Sequence, residues 1–127
     1  MLIGSDNGYR RMFLGAAFYN WAVAGICGLG FQPLFPALGI TPMPVPALYF
    51  LLFMAAVAVF GYMYFRVSRD LTLTVLVEMG AIAKSLVFVI VGAYWIAGVA
   101  SWHLLALACV DLVYTVLFID FLRSRKP

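Results

Sequence analysis

The 127-residue chain predicts an all-α integral membrane protein, a four-transmembrane-helix antiparallel bundle with both termini cytoplasmic. Apolar content and the placement of the basic residues carry that reading. Hydrophobic residues make up 66% of the sequence and charged residues 10%, against roughly 45–50% apolar in soluble domains. They fall into four runs, approximately 10–31, 46–66, 71–97 and 101–122, each near the length of about 20 residues that crosses a hydrocarbon core. Little remains outside these runs. The chain is therefore expected to be a single membrane domain over 1–127, with no appended catalytic module and no nucleic-acid partner.

The first run follows Arg10 and Arg11, and its apolar part, Met12 to Phe31, exceeds the 7–15 residues typical of a signal-peptide core, so it reads as a retained helix. Gly15, Ala16, Ala17, Ala22, Ala24, Gly25 and Gly28 make this helix rich in small residues, which permit close approach in lipid, within the bundle or in an oligomer. The outer connection 32–45, with Pro46 just beyond it, brings together five of the six prolines. Each proline removes a backbone donor, so the stretch is expected to end the helix and, being uncharged and apolar, to cap the bundle or lie on the membrane surface.

Arg66 to Asp70 form a short connection, which makes the second and third helices antiparallel neighbours. The third and fourth are joined as tightly. Seven of the eight basic residues flank helices: Arg10, Arg11, Arg66, Arg69, Arg123, Arg125 and Lys126. Connections 32–45 and 98–101 carry none, so the alternate ends are cytoplasmic by the positive-inside rule. Trp95, Trp102 and His103 fall near the outer boundary and Tyr9, Tyr62 and Tyr64 near the inner one, as interfacial aromatic belts do. Cys27 and Cys109 lie at different inferred depths on separate helices and read as small packing residues rather than a disulfide.

Lys84 is the eighth basic residue, and it stands inside the third run. Ionisable groups at membrane depth are costly, and they usually face a protein interior and carry a task. At a rise of about 1.5 Å per residue from the cytoplasmic ends, Glu78 lies about 12 Å deep, Asn20 about 15 Å, Asp111 about 17 Å and Lys84 about 21 Å. Lys84 points away from Glu78 on their shared helix, so its expected partner is Asp111 on the neighbouring helix, with Tyr114 and Thr115 on the Asp111 side. Glu78 is then left without a counter-ion, and its neutral acid form is expected to take a hydrogen bond from Ser85 or Asn20. Glu78, Lys84, Asp111, Asn20, Tyr114 and Ser85 form the candidate ligand-binding or proton-linked set. The same residues admit a structural role as a lock between helices.

Catalytic residues are not specified, since the chain has no nucleophile elbow, phosphate loop, haem motif or metal-ligand spacing, and no cofactor is implied. In size and helix number the layout is similar to the small multidrug transporters, whose essential Glu lies in the first helix, where this chain has Asn20. Emopamil-binding-type proteins likewise place acids around a membrane pocket. No site is carried over from either. The leading functional expectation is binding or transport of a small amphipathic or ionic ligand, with proton linkage through the buried acids. A membrane-embedded enzyme acting on a lipid or isoprenoid-like substrate is the second expectation, and a non-catalytic subunit of a larger membrane complex or homo-oligomer the third. The expected location is the lipid bilayer of a bacterial inner membrane.

Overall fold

The computed structural model describes residues 2–39 and 46–126. Four helices follow one another: α1 Asp6–Ala37, α2 Ala47–Arg69, α3 Thr74–Ile96 and α4 Trp102–Ser124. Each is long and apolar enough to cross a membrane, which is the form that satisfies every backbone polar group within one segment in lipid. The chain is a four-helix membrane bundle. Its Arg10, Arg11, Arg66, Arg69, Arg123 and Arg125 gather at one end, called here the basic end.

Local sequence sets the helix limits. Ser5 accepts the Gly8 N–H at 3.1 Å and Ser101 accepts the Leu104 N–H at 3.4 Å, so the N-termini of α1 and α4 each have a side-chain cap for an otherwise unpaired donor. Gly98, at φ 78°, ends α3. Its N–H returns to Trp95 O at 3.0 Å and that of Val99 to Tyr94 O at 2.9 Å, the paired closure that a left-handed residue after a helix allows. In the α2–α3 turn the Asp70 carboxylate accepts the Thr72 hydroxyl at 2.6 Å and the Thr72 N–H at 3.0 Å. These bonds hold the carboxyl below its usual range, the hydroxyl contributing most. Their contribution is therefore present at neutral pH and lost as pH falls through that lowered value.

The first helix departs from expectation. At 32 residues α1 is about 48 Å long against about 35 Å for its 23-residue neighbours, and it continues through Pro33 and Pro36 rather than stopping at 31. Two missing donors near a helix end leave few carbonyls unpaired, and aromatic packing compensates. Phe50 of α2 sits 5.3 Å from the Phe31 ring and 5.4 Å from the Phe35 ring, tying the extension to the start of α2. The rest of the proline segment, 40–45, with the capping role expected of it, lies outside the described residues.

Close packing runs within two hairpins, α1 with α2 and α3 with α4, while contact between the hairpins is sparser. Gly61 permits the first of these. A Cβ there would stand 2.6 Å from Trp21 Nε1 and 3.2 Å from the Ala17 carbonyl oxygen, and Trp21 is itself held by donating to Ala58 O at 3.1 Å. Among the small residues of α1, Ala16, Ala17 and Gly28 are buried, whereas nothing approaches Gly25. Toward the basic end the hairpins meet through aromatic side chains. Phe13 lies 5.1 Å from Phe118 and 5.0 Å from Phe121, Tyr64 5.1 Å from Phe118, and Tyr9 5.1 Å from Phe121. All five are almost fully buried. Tyr9 and Tyr64 thus belong to the core and not to the expected interfacial belt, where Tyr62 remains, accepting from Arg66 at 3.2 Å. Large rings meet there because apolar side chains gain little by leaving lipid and packing must supply the stability.

Gly61→Ala is expected to lower the melting temperature in mild detergent by the equivalent of about 1–3 kcal/mol of overpacking, while Gly25→Ala, inside α1 where a Cβ meets nothing within 4 Å, leaves it unchanged or raises it by the equivalent of up to about 1 kcal/mol through helix propensity.

Candidate functional site

At the middle of the bundle four helices converge on one ammonium group. Lys84 of α3 is 5% exposed, and its Nζ donates to Asp111 Oδ1 of α4 at 2.5 Å and to Asn20 Oδ1 of α1 at 3.2 Å. The Asn20 amide nitrogen donates in turn to Val57 O of α2 at 3.2 Å. A single chain of bonds therefore links all four helices. Three tyrosine rings surround the ammonium, Tyr64 at 5.3 Å and Tyr19 and Tyr114 at 5.5 Å from Nζ to centroid, within the range where a ring face attracts a cation. Tyr19 is fixed by donating to Leu107 O at 2.9 Å. Gly80 allows Tyr64 its place, since a Cβ there would come within 2.6 Å of the Tyr64 ring.

The remaining candidates divide. Tyr114 joins the cluster through its ring, and Thr115 stays with its own helix, donating to Asp111 O at 2.9 Å. Ser85 donates back to Ala81 O at 2.8 Å and Ile82 O at 2.9 Å and does not reach Glu78. Glu78 is a correction. It is exposed on the outside of the bundle and makes no hydrogen bond or ion pair among the described residues. Because α3 begins at Thr74, Glu78 lies only about 6 Å into the helix. It also follows Val77, which is fully buried, and so is turned about 100° from the core. Neither depth nor facing brings it to the cluster.

Tyr19 and Tyr64 are the cluster members that residue-type reasoning passed over. For Tyr64 the signal is positional: Phe53, Val57, Phe60 and Tyr64 recur at the four- and three-residue spacing of one face of α2, and that face turns inward. His103 stacks on Trp102 at 3.9 Å, away from the cluster. Among the described residues no group of three or more His, Cys, Asp or Glu is placed to hold a metal ion.

The cluster is the floor of a cavity of about 130 Å³. Above it the walls are apolar: Val23, Phe53 and Val57 on one hairpin, Val87, Val91 and Leu107 on the other. Exposure rises along the lining from 5% at Lys84 to 45% at Leu104 and 53% at Phe53, so the cavity opens away from the basic end. Toward the basic end it is closed by Tyr64 and the rings packed beneath it. Lys84 and Asp111 neutralise each other, and each keeps bonding capacity. The ammonium uses two of its three donors, and Asp111 Oδ2 has no partner among the described residues. Such a floor can receive a group that both donates and accepts. Comparison with protein-family models, with curated proteins and with solved structures finds no match.

Removing one partner of a buried ion pair costs about 3–5 kcal/mol, whereas replacing both by apolar residues is often neutral. Lys84→Met is accordingly expected to be strongly destabilising and the double variant Lys84→Met, Asp111→Leu to recover most of the loss in thermal unfolding. Additive effects of the two substitutions would show that the groups are uncoupled.

Proposed function

We propose that the protein binds a small amphipathic molecule within the membrane, its polar head on Lys84 and Asp111 and its apolar body between the two hairpins. The observation that carries this reading is a self-neutralised ion pair, with one donor and one acceptor position left open, forming the floor of an otherwise apolar, one-ended cavity. A self-neutralised pair favours a neutral head such as a hydroxyl or carbonyl, because a charged head would leave an uncompensated charge in low dielectric. Size narrows the ligand further. An apolar cavity of about 150 Å³ admits benzene, so a cavity of about 130 Å³ encloses one ring or a short chain, and a longer molecule extends outward past Phe53 and Leu104. Transport would in addition require the rings at the basic end to part. Binding requires no such movement.

The competing reading is that the Lys84 and Asp111 pair only locks the hairpins in register. Filling the cavity while sparing the pair separates the two. In protein purified in mild detergent, 2-naphthol, a neutral probe of two fused rings whose hydroxylated ring fits the enclosed space while the second extends toward Phe53 and Leu104, is expected to show saturable binding by fluorescence above its partition into micelles. Val87→Trp is expected to weaken that binding at least about tenfold, a loss of about 1.4 kcal/mol, with the melting temperature retained. Equal binding by both proteins would remove the cavity as a ligand site and leave the lock.

A further inference from the structure

Two adjacent arginines at the basic end are used differently. Arg10 Nη1 donates to Ser68 O at 3.0 Å and Arg69 O at 2.9 Å, closing the last turn of α2. Arg11, about 100° further round the helix, is exposed and makes no hydrogen bond or ion pair among the described residues. It stands at the rim of a second concavity, a groove of about 540 Å³ between α1 and α4, with Met12, Gly15, Val113, Tyr114 and Leu117 along it. From Leu117 to Val110 the groove runs about 10 Å from the rim toward the middle of the bundle. Gly15 keeps it open, since even a Cβ there would stand 3.2 Å from the Tyr114 hydroxyl oxygen.

We infer that this groove holds an anionic phospholipid of the leaflet at the basic end, its phosphate on Arg11 and one acyl chain along α1 and α4. Charge complementarity carries the choice of occupant. Arg11 lies in the second turn of α1 at the basic end, and basic residues beside a groove between membrane helices near their ends suit anionic head groups. The acids of this end are engaged elsewhere: Asp6 pairs with Arg125 at 2.7 Å, and Asp120 is turned to the start of the chain, accepting the Leu2 N–H at 3.0 Å, the Ile3 N–H at 3.4 Å and the Tyr9 hydroxyl at 2.8 Å. Neither forms an ion pair with Arg11 among the described residues. The walls beyond Arg11 are apolar and lipid-facing, with Val113 58% exposed, as an acyl chain requires. The groove is separate from the central cavity, and Tyr114 stands between them with its ring toward Lys84 and its hydroxyl toward Gly15.

The test is native mass spectrometry of the full chain in mild detergent with equal amounts of phosphatidylglycerol and phosphatidylcholine of identical acyl chains. The wild type is expected to retain phosphatidylglycerol in preference. Arg11→Gln is expected to reduce that retention about fivefold, Arg69→Gln to leave it unchanged, and Val113→Trp to reduce retention of both lipids by filling the groove. Equal retention of the two lipids by the wild type, or equal losses in the Arg11 and Arg69 variants, would overturn the inference. A dimer that dissociates on Val113→Trp would overturn it too, assigning the groove to a second copy of the chain. The melting temperature of each variant confirms that a lost adduct does not come from lost folding.

Discussion

A positive charge placed at the middle of a membrane helix constrains everything around it. An unpaired ammonium there costs several kcal/mol, so α3 must present Lys84 to the bundle interior and some other helix must supply a negative charge at the same depth. Asp111 of α4 does so, Asn20 of α1 takes a second donor, and Val57 of α2 receives the Asn20 amide. Rotation and axial position of all four helices are thereby tied to one group. The tyrosine rings of α1, α2 and α4 add a polarisable wall that a cation prefers to aliphatic side chains.

Packing on the two sides of this group is unequal, and the inequality creates the cavity. Toward the basic end Phe13, Tyr64, Phe118 and Phe121 fill the space between the hairpins. Away from it the facing residues are mostly Val and Leu, too small to meet across the same separation. The large rings on that side do not close the gap: Phe53 is 53% exposed at the mouth, and Phe50 packs within its own hairpin on Phe31 and Phe35. The result is a bundle whose polar centre is sealed from one face and approachable from the other.

Charge is handled differently where the helices leave the bilayer. Arg10 is spent on the carbonyls that end α2, Arg125 pairs with Asp6 at 2.7 Å, and Asp120 gathers the start of the chain beneath α4. Four antiparallel helices start and finish at one end of the bundle, and these contacts tie the segments there together. Arg11 alone of the Arg10 and Arg11 pair is turned outward, where the surroundings are lipid.

The fold class was legible because a backbone in lipid has few options: four apolar runs of sufficient length have to be four helices. The meeting of Lys84 with Asp111 was legible from residue counts, since depth along antiparallel helices is simple arithmetic. Glu78 was misplaced for the complementary reason. Its depth depended on where α3 begins, and its facing on a rotation that Val77 in the core fixes only once the helices are assembled. The local rule that proline ends a helix did not hold at Pro33 and Pro36, where Phe31 and Phe35 pack on Phe50 of another helix. Tyr64 looked interfacial by residue type and proved central by position. The amino-acid order by itself determined a membrane bundle and a buried cation in need of a counter-charge, because hydropathy and charge are properties of single residues. Only the tertiary structure decided which side chains surround that cation and where space was left beside it, because rotation between helices and the fit of rings belong to surfaces that exist only after the helices meet.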